Sequence, residues 1–387
     1  MPKQKDFKTN HIVLVSSAHL FHDTFTSFLA QALPILIDKL GISNTLAGLL
    51  SIIQRIPSLF NFLVGIMAEN IKARYLVIFA PAVTSVAMSL IGVAPGYIFL
   101  AILLFISGIS STLFHVPAPV MIKKLSGSRI GKGMSFFMLG GELARTLGPL
   151  VIVGVVSLWG LEGTYKLIPF GLAASLFLFI KLRKVDISSS FDGQETKPEY
   201  WKIFKKFLPV FLAIGGIIFF RAAIKASLTL YLPVYITENG GDFWFSGISL
   251  SVLQLAGALG TFYAGPISDK IGRKSSLLII TIVSPVLMYI FTFIHGFWTL
   301  PLLILMGVFL IATTPIFLAI VHELATERLA FVNGIFMTIS FVLGSLMLLL
   351  VGIASDTFGI NFTYKASAFV GLIAIVFVLF LPGKPKR

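Results

Sequence analysis

The residues best able to do chemistry are ionisable side chains that interrupt long apolar stretches. The string GGELARTLGP places Glu142 three positions before Arg145, and the string HLFHD places His19 four positions before Asp23. Residues three or four positions apart lie on one face of a helix. We therefore expect contact within each pair, with a carboxylate that can exchange a proton when its partner moves. The alternative for each pair is a static contact that only holds the fold.

Four further ionisable residues have apolar surroundings: His115, Arg55, Arg221 and Lys225. Arg221 and Lys225 are one helical turn apart, and because like charges repel we expect a counter-ion, either a carboxylate of another span or an anionic substrate. With Arg55 and Arg145, these two residues make four cations in the apolar core, against two carboxylates, Asp23 and Glu142. Such an excess suits an anionic or zwitterionic substrate, since a guanidinium binds a phosphonate or carboxylate through paired hydrogen bonds. Alternatively, Arg55 extends to lipid headgroups from a helix end, and His115 is a packing residue.

The elements that position these residues are predicted to be membrane helices. The chain has 387 residues, of which 57% are hydrophobic and 12% charged, whereas a soluble domain is about 25% charged. A transmembrane helix needs roughly 20 predominantly apolar residues. Twelve runs of that kind are predicted, at 10–37, 44–68, 75–94, 97–122, 131–158, 162–182, 206–236, 244–268, 275–294, 298–322, 329–354 and 361–381.

The distribution of charge orients these spans. Of the 30 lysines and arginines, 23 lie at the two termini and in, or within two residues of, the breaks after every second span, and three lie in, or within about five residues of, the opposite breaks. This bias predicts that both termini are cytoplasmic. The net charge of +14 is then explained by orientation and by attraction to anionic lipids, so no nucleic-acid partner is expected. The chain has no cysteine, and HLFHD alone is too weak a pattern to predict a metal site.

The chain consists of two related halves. Residues 51–74 (SIIQRIPSLFNFLVGIMAENIKAR) match residues 251–274 (SVLQLAGALGTFYAGPISDKIGRK) at an offset of 200 residues, and a long polar stretch separates the halves. A parallel repeat of six helices is typical of transporters whose halves rock about a central site. We predict an N-terminal bundle (1–182), a cytoplasmic linker (183–205) and a C-terminal bundle (206–387).

The string GPISDKIGRK is the most diagnostic in the chain. It resembles the loop signature of the major facilitator superfamily, which implies the twelve-helix facilitator fold in two six-helix bundles. In that family the charges of this loop connect neighbouring helices and help to govern opening. The resemblance assigns the gating loop to Gly265, Asp269, Gly272, Arg273 and Lys274. The first-half copy, GIMAENIKAR, keeps three matching residues, Gly65, Glu69 and Arg74. It lacks the second glycine.

Five strings in order narrow the resemblance: HLFHD, SSTLFHVPAP, GGELARTLGP, GPISDKIGRK and HELATERLAFVNGIF. Together they resemble the fosmidomycin-resistance branch of the superfamily, which implies drug efflux coupled to proton entry. His19 and Asp23 match the pattern of that branch, and the glycine-rich fifth span is similar to that of antiporters. One departure is that the branch usually has Phe-His-Pro-Glu in the fourth span, where this chain has Phe-His-Val-Pro. The role of that glutamate is therefore not carried over.

These observations lead us to expect a monomeric, multi-pass exporter of the inner (cytoplasmic) membrane, with its site between the bundles. Proton coupling is assigned to Asp23, Glu142, His19 and His115, and substrate binding to Arg145, Arg221, Lys225 and Arg55. No cofactor, metal or enzymatic activity is expected. The alternatives are a proton-coupled importer of an organic anion and a membrane sensor that transports nothing. The direction of gradient-driven flux distinguishes the first alternative, and tolerance of neutralised arginines distinguishes the second.

Overall fold

The structure, a computed structural model, describes residues 7–61, 64, 74–184, 200–324 and 329–381. Within those residues the regular structure is helical. The helices of the first half are α1 (Thr9–Thr26), α2 (Phe28–Leu40), α3 (Asn44–Arg55), α4 (Arg74–Ser89), α5 (Tyr97–His115), α6 (Pro117–Leu125), α7 (Ile130–Trp159) and α8 (Ile168–Leu182). Those of the second half are α9 (Tyr200–Thr229), α10 (Leu232–Glu238), α11 (Phe243–Ile271), α12 (Arg273–Phe291), α13 (Thr299–Ile311), α14 (Thr313–Leu324), α15 (Leu329–Phe358) and α16 (Ile360–Leu379).

Eleven helical segments of the described chain are long and apolar enough to cross a membrane. Helices are the expected solution, because in lipid each backbone polar group must be paired within its own segment. Large apolar side chains remain exposed along these helices, for example Ile98, Leu158 and Phe262, as expected for surfaces that face lipid. The predicted span at 44–68 falls partly outside the described residues, so the count of twelve stays a prediction.

The chain divides into two compact units. Unit 1 contains Met1–Ile42 and Leu49–Glu195, and unit 2 contains Ser43–Gly48 and Thr196–Arg387. The short segment Ser43–Gly48 belongs to unit 2 because the start of α3 bonds there: Asp356 accepts hydrogen bonds from the backbone N–H groups of Asn44 (2.7 Å) and Thr45 (2.8 Å). The sequence did not predict this exchange, and the boundaries of the two bundles stay a prediction.

Four of the predicted spans are broken helices, and the breaks recur in both halves. The first span breaks at Ser27 and the seventh between Thr229 and Leu232; the fourth breaks at Val116 and the tenth at Ala312. Pro117 explains the break in the fourth span, because proline has no backbone N–H with which to continue the helical hydrogen bonds, although Val116 before it keeps a helical conformation. A break leaves backbone carbonyls free to bind side chains inside a bundle.

The core of unit 1 depends on a close approach of α7 to α1. A Cβ atom at Gly140 would collide with the backbone of Ser16, and one at Gly141 would lie 2.6 Å from the ring of His19. Small residues let membrane helices pack at such short range. Around this contact lies an apolar cluster from six helices, which includes Ile12, Ile78, Phe114, Met121, Phe137 and Leu178.

The core of unit 2 is formed by six helices, α9, α11, α12, α14, α15 and α16. Its buried apolar cluster includes Ile217, Leu277, Ile316 and Ala374. Beside it, the buried Tyr364 donates a hydrogen bond to the carbonyl of Ser227 (2.6 Å), which satisfies the hydroxyl of a ring with no exposed surface.

We predict that Gly140→Ala lowers the free energy of unfolding by about 1–3 kcal/mol, since an added methyl group in a packed core forces the backbone apart. Thermal unfolding in detergent measures the effect. Gly154→Ala is the matched control on the same helix, because a Cβ atom there meets nothing within 4 Å and alanine favours a helix. Equal effects of the two substitutions would show that Gly140 does not serve close packing.

Candidate functional site

Three titratable side chains surround Asp23 in unit 1. His22 Nδ1 lies 2.9 Å from Asp23 Oδ1, and His19 Nε2 lies 3.2 Å from Asp23 Oδ2. His115 Nε2 lies 3.3 Å from Asp23 Oδ1 and 3.2 Å from His19 Nε2. The side chains of Asp23, His19 and His22 are buried and that of His115 is about one-third exposed. We call these four residues the Asp23 cluster.

The neighbouring helices hold the imidazole rings in place. His19 Nδ1 donates to the carbonyl of Phe137 on α7 (2.7 Å), and the two rings stack at 4.1 Å. The ring of His22 stacks on Phe114 at 4.8 Å. His115 is the last residue of α5, and its Nδ1 donates to the carbonyl of Ser111 (2.9 Å). The rings therefore have little freedom to rotate away from Asp23.

A chain of hydroxyl groups continues the Asp23 cluster towards α4 and α5. His22 Nε2 lies 2.8 Å from Thr84 Oγ1, which lies 2.8 Å from Ser110 Oγ. Ser110 Oγ donates to the carbonyl of Ala80 at 2.9 Å. Thr84 and Ser110 are fully buried, so these hydroxyl groups form a buried polar path from His22 to the backbone of α4.

The predicted contact between Glu142 and Arg145 is confirmed, since the two form an ion pair on α7. The Glu142 side chain is 19% exposed and that of Arg145 is 42% exposed. An exposed guanidinium paired with a less exposed carboxylate can exchange its partner for an anion in solution. The contact alone does not assign this role, which stays a prediction.

Polar side-chain atoms of three members of the Asp23 cluster converge, since those of His19, Asp23 and His115 lie within 4.8 Å of one another. The same atoms are engaged in hydrogen bonds within the cluster, which account for their convergence without a metal ion.

The cations of unit 2 do not share one environment. Arg221 is buried, and its guanidinium donates to the carbonyls of Ile280 (3.3 Å), Phe309 (3.4 Å) and Leu310 (3.3 Å). Lys225 is exposed. Among the described residues, backbone carbonyls take the hydrogen bonds of Arg221, and two of them lie next to the break in the tenth span. The expected counter-ion, either a carboxylate of another span or an anionic substrate, stays a prediction.

Arg55 is the last residue of α3, and its side chain is exposed. That position is consistent with a helix-end cation as well as with the substrate-binding role, which stays a prediction for Arg55, Arg145, Arg221 and Lys225.

The loop from α11 to α12 ties together four helices of unit 2. Arg273 pairs with Asp269 at the end of α11 and with Glu323 on α14 (2.9 Å). Lys274 Nζ donates to the carbonyl of Leu379 on α16 (2.5 Å). Gly272 has a φ of 96°, a conformation that glycine adopts without strain. The loop contacts expected from the sequence are therefore present, and a gating role for them stays a prediction. The matching residues Gly65 and Glu69 of the first half lie outside the described residues.

The family model of the Major Facilitator Superfamily matches residues 15–347 and 245–387. The chain belongs to this superfamily. Its architecture is accordingly that of a multi-pass membrane transporter that acts on small molecules.

Similarity to individual proteins indicates the branch of the superfamily to which this facilitator belongs. The fosmidomycin resistance protein of Escherichia coli (strain K12) is 25% identical over 96% of this chain and 93% of its own length. The uncharacterized MFS-type transporter YfnC of Bacillus subtilis (strain 168) is 20% identical over 97% of this chain and 93% of its own length. The first of these supports the assignment to the fosmidomycin-resistance branch that the motifs indicated.

Solved structures share the fold of this facilitator at low identity. A bacterial homologue of the human lysosomal transporter Spinster, in an inward-facing and occupied conformation, has a TM-score of 0.79, is 12% identical and covers 96% of each chain. A D-xylose-proton symporter has a TM-score of 0.76, is 15% identical and covers 98% of this chain and 99% of its own.

The Asp23 cluster and its surroundings include residues that the sequence pattern does not single out. His22 lies in the same HLFHD string as His19, but its spacing from Asp23 does not indicate a shared helix face. Thr84 and Ser110 were missed because a hydroxyl residue in an apolar helix is common, and only the fold brings these two to His22. A search for hydroxyl residues in the middle of the predicted spans could have selected them.

We predict that Arg273→Lys lowers the free energy of unfolding of this facilitator by about 1–2 kcal/mol. Lysine is a single point charge and cannot reproduce the forked contacts that Arg273 makes with Asp269, Glu323 and Ser268. Thermal unfolding in detergent measures the change. Lys270→Ala, an exposed cation in the same turn, is the control and should have little effect. A change after Lys270→Ala as large as that after Arg273→Lys would contradict the specific role of Arg273.

Proposed function

We propose that this facilitator exports a small anionic or zwitterionic organic compound, such as fosmidomycin, in exchange for protons, by alternating access. The observation that carries the proposal is the Asp23 cluster, in which one buried carboxylate contacts three imidazole groups within a bundle of membrane helices. Ionisable groups are costly at this depth and mark proton or substrate pathways in membrane proteins.

Two features support export. The relative from Escherichia coli is named for resistance to fosmidomycin, and removal of a drug from the cell is the simplest way in which a transporter gives resistance. The string GGELARTLGP is similar to the fifth-span motif of antiporters, and its glycines bring α7 to the ring of His19.

The proposed cycle assigns separate tasks to the two charged sites of unit 1. Protons from outside bind to the Asp23 cluster, and Glu142 is a second candidate. Arg145 binds the anionic substrate through its exposed guanidinium, which frees Glu142 from its ion pair. Loss of the protons to the cytoplasm and release of substrate outside complete one exchange. Arg55, Arg221 and Lys225 contribute positive charge that favours an anion.

A proton-coupled importer of an organic anion is the second candidate function. The sialic acid transporter NanX of Escherichia coli (strain K12) is 25% identical over 63% of this chain and 61% of its own length, and the D-xylose-proton symporter shares the fold. Both names are compatible with coupled uptake through the same basic groups. A sensor that transports nothing is the third candidate and would leave the Asp23 cluster without a task.

The number and orientation of the membrane helices are also part of this proposal. We infer twelve transmembrane helices, two bundles joined by the linker at 183–205, and both termini in the cytoplasm. The excess of Lys and Arg on one side of the spans supports this orientation. We also infer that the protein works as a monomer in the cytoplasmic membrane, without a cofactor and without enzymatic activity.

Fosmidomycin serves as the probe for this proposal in proteoliposomes. An inward proton gradient, acidic on the side equivalent to the cell exterior, should drive fosmidomycin against its concentration gradient towards the acidic side. Asp23→Asn should reduce this gradient-driven flux by about 10-fold or more, because the amide cannot release a proton. Glu142→Gln should lower the flux to a smaller extent, since Arg145 still carries its charge.

The matched control is Asp242→Asn, because Asp242 caps α11 through the N–H of Phe245 and asparagine caps equally well. Accumulation of the probe on the opposite side, away from acid, would favour the importer. If neither Asp23→Asn nor Glu142→Gln alters the coupling, the proposed assignment is wrong. If neutralising Arg145 and Arg221 changes no activity of the cell or vesicle, the sensor is favoured.

A further inference from the structure

The hydroxyl chain beside His22 fixes where a hydrogen must lie. A carbonyl oxygen can only accept, so the bond to Ala80 uses the single hydrogen of Ser110. The bond between Thr84 and Ser110 then uses the hydrogen of Thr84. Because Thr84 has no hydrogen left to donate, the 2.8 Å contact with His22 requires a hydrogen on His22 Nε2.

The other nitrogen of His22 also needs a hydrogen in its contact. His22 Nδ1 lies 2.9 Å from Asp23 Oδ1, and an ionised carboxylate only accepts. With Nε2 already protonated, a neutral His22 would present a bare Nδ1 to the carboxylate, and two lone pairs would repel. One exchangeable proton must therefore lie between His22 and Asp23.

The same count applies to His19 and His115. Each donates from Nδ1 to a backbone carbonyl, that of Phe137 for His19 and that of Ser111 for His115. In the neutral rings both Nε2 atoms are then bare, although they lie 3.2 Å apart and each lies within 3.3 Å of an Asp23 oxygen. A second exchangeable proton must lie among these three groups.

We infer that the Asp23 cluster is a two-proton site, with one proton held by His22 and the other by the His19–His115 pair, and that Thr84 is the positioning residue for the first. The inference rests on the proposed role of Asp23 in proton coupling and adds the number of protons that the Asp23 cluster binds. Relative to the ionised carboxylate with three neutral rings, two protons change the charge of the cluster from −1 to +1.

The ionisable residues around the Asp23 cluster do not supply either of its two protons. On α7, Glu142 and Arg145 pair with each other. The other ionisable side chains on the α-helices that pack against α1 lie in the first or last turn of a helix: Asp38, Lys39, Arg74, Tyr75, Tyr97, Lys123, Lys124, Lys132 and Lys181. His11 lies in the first turn of α1 itself.

The test is nitrogen NMR of protein labelled with ¹⁵N-histidine, in lipid nanodiscs and without substrate, followed over a range of pH. Signals of His22 are identified by their loss in His22→Gln. In the wild type we expect two protons to bind to the Asp23 cluster, with both nitrogens of His22 protonated in the acidic form. In Thr84→Val, protonation of His22 should need a pH lower by about one unit or more, because one N–H of the buried ring loses its acceptor.

Two controls separate positioning from packing. Thr84→Ser keeps the hydroxyl group and should titrate as the wild type does. Ser111→Ala removes the hydroxyl that lies 3.2 Å from His115 Nδ1 but keeps the carbonyl that fixes this ring, so His115 should be unaffected. Uptake of a single proton by the wild-type cluster, or equal titration of His22 in Thr84→Val and Thr84→Ser, would overturn the inference.

Proton binding in this experiment is read without transport, so its failure is separate from failure of the proposed function. If two protons bind but an imposed pH gradient moves no fosmidomycin, the two-proton site stands and the export proposal fails. If the gradient moves fosmidomycin but the cluster binds one proton, the capacity inferred here is wrong and coupling through Asp23 stands.

Discussion

The buried carboxylate of Asp23 is the constraint on which the packing of unit 1 depends. An ionised carboxylate in apolar surroundings costs several kcal/mol unless hydrogen-bond donors or charges compensate it. Here three imidazoles supply that compensation, and each ring is held by a further partner: the carbonyl of Phe137, the carbonyl of Ser111 and the hydroxyl of Thr84. One charge thereby fixes the relative positions of α1, α4, α5 and α7, so a change at any of these contacts is transmitted to the carboxylate.

This arrangement explains two local features that otherwise weaken a helix. The glycines of α7 have poor helix propensity, but they admit the backbone of Ser16 and the ring of His19 at contact distance. The break before Pro117 ends α5 at His115, so the ring extends from a helix end rather than from a continuous span. In both cases the sequence weakens or interrupts a helix at the point where a side chain of the Asp23 cluster packs. The sequence of each span is thereby linked to the geometry of the site.

Sequence reasoning succeeded where the relevant distances are short along the chain. The contacts of Asp23 with His19 and of Glu142 with Arg145 follow from helical spacing and were predicted. The helical membrane architecture follows from the length of the apolar runs. The approach of His115 to His19 joins residues 96 positions apart, and no periodicity encodes it. Helical spacing did not give the separate surroundings of Arg221 and Lys225, because residues four apart differ by about 40° around a helix, enough for Arg221 to be buried while Lys225 is exposed.

Each half carries a pair of ionisable residues four positions apart on its first span, but the chemistry of the two pairs differs. His19 and Asp23 are four residues apart on the first span, and Arg221 and Lys225 are four apart on the seventh, 202 positions later. In unit 1 the pair is titratable, and its charge changes with bound protons. In unit 2 arginine remains protonated at any physiological pH, and Arg221 donates hydrogen bonds to backbone carbonyls that include those of Phe309 and Leu310 beside a helix break. One half therefore carries a pair of variable charge and the other a pair of constant charge. On the proposed function, the variable half responds to the proton gradient, while the constant half keeps an attraction for anions that protons do not alter.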